Sequence, residues 1–168
     1  MQNIHIINTG GTFNKIYNPI TGHLDINQNN EVIKTVLNTA FFHQNHIKIS
    51  GIIFKDSLEF TQHDREILAD LAQASQEQKI IIIHGTDTMD LSAEFLSTKI
   101  TNKTVVFVGA MRPFSIEPIE ATANLALAIG AIEYLPQDIF ISMQGLLKPF
   151  RQIQKNQKLG IFNVKNYM

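Results

Sequence analysis

Five short stretches of the chain are almost wholly apolar and end at polar or glycine-rich turns: Asn3–Asn8, Ile47–Phe54, Ile80–His84, Thr104–Gly109 and Ile139–Met143. Runs of this length without alternation predict strands covered on both faces, as in a parallel sheet. Between them the apolar spacing changes to that of helices. Thr61-Gln62-His63-Asp64 opens one, with Thr61 as N-cap and an acidic first turn, and Ile67, Leu68, Leu71 and Ala72 as its buried stripe. A second follows Met89 and is expected to bury Leu91, Phe95 and Leu96. A third starts at Pro118, a favoured first helical residue, and runs to about Leu135 ahead of Pro136. An earlier helix is predicted over Asn30–Asn38. Strands alternating with helices predict an α/β fold: a doubly wound, mostly parallel sheet with flanking helices, a Rossmann- or flavodoxin-like three-layer arrangement. Phe13–Leu24, with Asn18-Pro19 and Thr21-Gly22, reads as a hairpin or a mobile loop. No repeat, low-complexity tract or linker interrupts the pattern, so residues 1–168 read as one domain.

The third helix departs from amphipathic spacing. Leu125 to Ile132 contains no polar residue over more than two turns, where a surface helix shows a polar stripe. One side is expected to pack on the sheet and the other on a second subunit, giving a homo-oligomer, dimer or tetramer. Burial under loops of the same chain is the alternative.

Composition narrows the function classes. At 168 residues the chain can bury a full core. A formal charge of −1 and no basic stripe interleaved with aromatics argue against nucleic acid or an anionic membrane as partner. Without cysteine there is no disulfide, thiol catalysis or thiolate metal site. The first strand begins within a few residues of Met1 and no apolar run reaches membrane-span length, so the expected location is the cytoplasm. No metal or cofactor is expected.

Two threonine-bearing turns follow buried strands: Thr9-Gly10-Gly11-Thr12, and His84-Gly85-Thr86-Asp87-Thr88-Met89. In an open parallel sheet, ligands bind outside the carboxyl ends of strands, so both turns are expected at one crevice. The glycine pair permits a sharp turn and close approach to a ligand, yet alone it reads as a turn or a phosphate cradle. Thr86 and Asp87 offer a hydroxyl and a carboxylate at a helix start, where N–H groups favour negative charge. A plain N-cap is the competing reading. His84 reads as a satisfied buried histidine.

Adding Gly109-Ala110-Met111-Arg112-Pro113 after the next strand, these motifs resemble the bacterial-type L-asparaginase family in content, order and spacing. Asp56-Ser57-Leu58-Glu59-Phe60 resembles that family's substrate-binding loop. Met143–Lys155 aligns without gaps to the stretch carrying its active-site lysine, Arg151 included, and Gly160–Tyr167 is similar to the end of its amino-terminal domain. The resemblance implies hydrolysis of L-asparagine to L-aspartate and ammonia by two displacements. Thr12 would be the nucleophile that forms the acyl-enzyme, and Thr86, Lys155 and Asp87 the second polar set. Ser57 would hold the substrate α-carboxylate and Asp87 its α-ammonium, with Gly11, Thr86 and Ala110 also lining the substrate. A threonine hydroxyl needs a base or relay. Lys155 read alone is a surface lysine among Gln154, Asn156 and Gln157. As a base its pKa should fall on burial beside Thr86, with Asp87 opposing that shift.

The chain departs from the family in two places. The smaller carboxyl-terminal domain, which in the family closes a neighbour's site and lends a carboxylate to the substrate amine, is absent from this sequence. The family's tyrosine over the nucleophile aligns to Pro19 or Ile20, leaving Tyr17 in the same loop as its candidate replacement. Leu58 also stands where many relatives carry a polar residue. Other readings are a glutamine- or small-amide hydrolase, a non-catalytic ligand-binding module, and an amidase subunit that delivers ammonia to a transfer-RNA-linked substrate.

Overall fold

The computed structural model describes residues 3–40 and 46–165. The apolar runs form strands β1 (Ile4–Gly10), β4 (Ile47–Lys55), β5 (Lys79–Ile83), β6 (Thr104–Val108) and β7 (Ile139–Met143). These five are mutually parallel, in the order β4-β1-β5-β6-β7, and β8 (Leu146–Pro149) closes one edge antiparallel to β7. Ile80 to Ile83 have no exposed surface because successive side chains enter opposite faces of a sheet covered twice. Ile80 and Ile82 meet α2 (Gln62–Ala74) and α3 (Met89–Ser97) through Leu68, Ala72, Ala93 and Leu96. Ile81 and Ile83 meet α1 (Glu31–Ala40) and α4 (Pro118–Ala131) through Val36, Leu125 and Ala128. Burying an isoleucine completely contributes on the order of 2–3 kcal/mol, so this one strand is a large share of the drive to form three layers. The mostly parallel sheet between two helical layers matches the expected architecture.

Strand order reverses direction at β1, so the crevice outside the carboxyl ends of β1 and β5 is the topological switch point where open α/β sheets bind ligands. Thr61 caps α2 as expected, in a full capping box with Asp64. The Phe13–Leu24 segment forms a hairpin, β2 (Lys15–Tyr17) against β3 (Leu24–Ile26). A second ribbon, β9 (Ile153–Asn156) against β10 (Ile161–Val164), lies outside the main sheet. Within Gly160–Tyr167, Asn166 and Tyr167 fall outside the described residues.

Helix faces differ from expectation at two positions. Ile67 is 39% exposed and Leu91 51%, because α2 and α3 turn Leu68, Ala69, Ala72, Met89, Ser92, Ala93 and Leu96 inward instead. The α-helix at Pro118 ends at Ala131 and tightens into a 3-10 turn over Ile132–Tyr134. Leu125, Ala128 and Ile132 are fully buried, whereas Ala126, Leu127 and Ile129 are half-buried and Gly130 is exposed, so the chain's own loops cover that side only in part.

Candidate active site

Three turns meet backbone to backbone at the switch point. Gly10 and Gly11 adopt left-handed φ values of 101° and 70°, open to glycine at little cost. They carry the chain from β1 into a 3-10 turn over Thr12–Asn14. A Cβ on Gly11 would lie 2.5 Å from the Gly85 nitrogen, and one on Gly85 would lie 2.6 Å from Ser57 Oγ. The spacing of these three loops is therefore set by the missing side chains. Thr9 Oγ1 donates to the Ile83 carbonyl at 2.8 Å and Gly11 N–H to the Lys55 carbonyl at 3.0 Å, pinning β1 to both neighbours.

Ser57 is reached through a distorted end of β4. Ile53 and Phe54 both have positive φ, 71° and 51°, which is strained for a β-branched residue. The chain there bends away from β1 and re-aims the following loop. Asp56 caps the next 3-10 turn by accepting from Leu58 N–H, and Lys15 Nζ on the hairpin lies 2.9 Å from its carboxylate. Burial pushes the Asp56 carboxyl upward. The Lys15 hydrogen bond, the Leu58 N–H and the charges of Lys15 and Lys155 outweigh that and hold it below the usual range. Ser57 Oγ accepts from Asp87 N–H at 3.2 Å, and Thr88 Oγ1 donates to the Ser57 carbonyl at 2.7 Å.

Thr86 and Asp87 do not cap α3. The N-cap is Thr88, without a side-chain cap bond. They face Lys155 instead, whose Nζ stands 2.8 Å from Thr86 Oγ1 and 2.7 Å from Asp87 Oδ1. The Lys155 side chain is only 11% exposed, which sets aside the surface-lysine reading. It projects from the β9–β10 ribbon opposite Phe162. That ribbon is tied to the sheet by a relay: Phe162 N–H donates to Gln144 Oε1, Gln144 N–H to Asn124 Oδ1, and Asn124 Nδ2 to the Gly109 carbonyl. Ala110 is fully buried at the end of β6, and Met111 and Arg112 N–H groups both donate to the Glu120 carboxylate.

The structure thus brings Gly11, Ser57, Thr86, Asp87 and Lys155 together, with Thr12 directly after Gly11. Tyr17 is 59% exposed on the hairpin, and no hydrogen bond joins it to Thr12 among the described residues. Arg151 lies over the Phe150 ring and 3.5 Å from Asp138, away from the Thr86–Asp87–Lys155 cluster. Lys15, Asn124, Gln144 and Glu120 were not foreseen. Each acts through contacts distant in sequence, and only the Glu120 pairing had a local signal, in the acidic first turn of α4. Among the described residues no cluster of His, Asp and Glu is arranged to hold a metal, and no helix is long and apolar enough to cross a membrane.

A hydroxyl, an amine and a carboxylate in line, beside a second threonine turn, form a set able to pass protons during nucleophilic attack. The Thr12 and Thr86 N–H groups donate to no protein acceptor among the described residues. Residues 3–166 match the family model "Asparaginase, N-terminal", and the chain belongs to the asparaginase family. It is 32% identical over 143 residues to a probable periplasmic L-asparaginase of Haemophilus influenzae, covering 77% of this chain and 38% of that protein. Its fold matches the thermostable L-asparaginase of Thermococcus kodakarensis with a TM-score of 0.85 at 22% identity, over 99% of this chain and 52% of the other. A probable cytoplasmic L-asparaginase of Campylobacter jejuni matches with a TM-score of 0.75 at 26% identity, over 98% and 53%. The chain therefore spans about half the length of these solved relatives.

Proposed function

We propose that this chain is an L-asparaginase-like amidohydrolase working through a threonine acyl-enzyme. The observation that carries the reading is Lys155 Nζ held between Thr86 Oγ1 and Asp87 Oδ1 at 2.8 and 2.7 Å, in a member of the asparaginase family. Thr12 Oγ1 attacks the substrate carboxamide carbon. Its proton passes to the polar set and on to the leaving nitrogen, which departs as ammonia. Water then attacks the ester and restores the Thr12 hydroxyl. Lys155 Nζ, in contact with both Thr86 Oγ1 and Asp87 Oδ1, links the two groups in that relay. The Thr12 and Thr86 N–H groups serve as oxyanion donors. Ser57 binds the α-carboxylate. Asp87 Oδ2, which takes no protein donor among the described residues, binds the α-ammonium. Gly11 and Ala110 line the substrate.

Tyr17 is proposed as the group that swings over Thr12. The partly covered side of α4, Leu125–Ile132, is proposed as a contact in a homo-oligomer, and sedimentation of the wild type against Leu127→Glu tests it. The whole of residues 1–168 acts as one domain in this reading. A cytoplasmic location is proposed, supported by the likeness to the C. jejuni protein, and cell fractionation tests it.

Ammonia release from L-asparagine and L-glutamine by purified protein, with a Thr12→Ala control, tests the reaction. Activity abolished in the control upholds it, and a folded protein silent on both substrates overturns it. The family match supports asparagine as a substrate. One methylene is worth only about 1–3 kcal/mol of discrimination, so both substrates are assayed.

A further inference from the structure

His84 is fully buried between the rings of Phe60 and Phe107, at centroid distances of 4.5 and 5.6 Å, immediately before the turn that carries Thr86 and Asp87. Both ring nitrogens are engaged. Nδ1 lies 2.8 Å from the Gly85 carbonyl and Nε2 lies 2.9 Å from Ser92 Oγ. A carbonyl can only accept, so Nδ1 carries the proton. At the other end Arg65 Nε, which can only donate, lies 3.2 Å from Ser92 Oγ. The serine hydroxyl accepts from Arg65, and with Nδ1 carrying the proton of the neutral ring it gives its own proton to Nε2. The Gly85 carbonyl sets the tautomer of the neutral ring, and the Arg65–Ser92 contact is compatible with it.

The Gly85–Thr86 peptide is trans, as is every described peptide bond. In a trans peptide the C=O and N–H vectors oppose one another. With the Gly85 carbonyl turned inward onto His84, the Thr86 N–H is turned away from the core. It finds no protein acceptor among the described residues. Ser57 packs against Gly85 from one side and Gly11 from another, so the peptide has little room to tilt, but neither supplies a hydrogen bond to the Gly85 carbonyl.

We infer that His84 is a positioning residue that holds the Gly85–Thr86 peptide in the orientation presenting the Thr86 N–H to the developing oxyanion, with Ser92 holding the other ring nitrogen. The inference rests on the reaction proposed above. It assigns His84 no proton transfer: the ring works as a fixed donor, and its loss misdirects one oxyanion contact without removing any group that touches substrate.

The test compares His84→Asn with His84→Gln. The asparagine amide nitrogen falls near the position of Nδ1 and can still donate to Gly85, whereas that of glutamine falls near Nε2 and cannot. With both variants folded by circular dichroism, His84→Gln is expected to lose about 10²–10³ in kcat, the scale of one oxyanion donor. KM should change by no more than about threefold, and His84→Asn should recover most of the loss. Equal activity of the two variants, or a loss confined to KM, overturns the inference. A readout independent of turnover is the ring tautomer by ¹⁵N-resolved NMR of the wild type, where the proton is expected on Nδ1 at neutral pH. A proton on Nε2 overturns the inference whatever the activity. A proton on Nδ1 in a protein silent on both amides strikes the reaction and leaves the peptide orientation standing.

Discussion

The Lys155–Asp87 pair is the contact whose removal should say most. Lys155 Nζ makes two short hydrogen bonds, at 2.8 and 2.7 Å, and the paired side chains are 11% and 31% exposed. Hydrogen bonds to charged groups contribute about 1.5–3 kcal/mol, while fully exposed pairs contribute below about 1 kcal/mol. This pair sits between, so Lys155→Met should destabilise the fold by about 2 kcal/mol. That lowers Tm by roughly 4–8 °C for a chain of this size. Asp87→Asn leaves the ammonium facing an amide and should cost a similar amount. The double variant should be less destabilised than the sum of the singles, with a coupling of about 1–2 kcal/mol from urea midpoints. For ammonia release, each single is expected to lose about 10²–10⁴ in kcat, and the double little more, since the residues act as a unit. Stabilities that add to within about 0.3–0.5 kcal/mol refute the pair as an energetic contact. Unimpaired turnover in Lys155→Met refutes its part in the reaction.

Burial pushes His84 down to about 4 from 6.5, against an opposing pull from its Gly85 hydrogen bond. The unfolded chain therefore takes up the proton first as pH falls, and the stability contributed is complete above about pH 6.5 and lost between there and about pH 4. The loss amounts to about 3 kcal/mol, and His84→Asn should flatten that part of the urea-midpoint profile, an identical slope counting against it. Gly11→Ala places a methyl group against the Gly85 backbone at a left-handed φ and should cost about 2–4 kcal/mol, read as a drop in urea midpoint. An unshifted midpoint would mean that the three loops are not packed this closely. Tyr17→Phe should leave Tm almost unmoved, because the side chain is exposed, while cutting kcat by about 10²–10⁴. Wild-type turnover in that variant removes Tyr17 from the mechanism.

The parts of this molecule written in local chemistry were the legible ones. Ile80 to Ile83 could only be a strand covered twice, Thr61 with Asp64 could only be a helix start, and two glycine turns after buried strands implied a crevice. The helix stripes were read one position off at Ile67 and Leu91. On α2 and α3 small residues such as Ala69, Ser92 and Ala93 take the inward places, and large apolar residues are left at the boundary. The β9–β10 ribbon had no pattern to find. Ile153-Gln154-Lys155-Asn156 is short and mostly polar, and becomes a strand only because Ile161–Val164 pairs with it. For the same reason Lys155 looked like a surface residue until the family resemblance placed it. The left-handed pair Ile53-Phe54 contradicts what β-branched and aromatic residues favour, so no local rule could anticipate it.

The ribbon that carries Lys155 sets the weakest step in keeping the site intact. A two-stranded hairpin has little stability of its own. This one is fastened by the buried side chains of Ile153 and Phe162, by the Gln144–Phe162 hydrogen bond and by the Lys155 contacts with Thr86 and Asp87. Thr12, Thr86 and Asp87 stand at the ends of strands in the middle of the sheet and come apart only when the sheet does. Detaching the ribbon exposes two apolar side chains, breaks the Lys155 contacts and still costs less than global unfolding. Gentle heating or dilute denaturant should therefore abolish turnover while the helical signal is intact, and the amide protons of 153–164 should exchange ahead of those of β5.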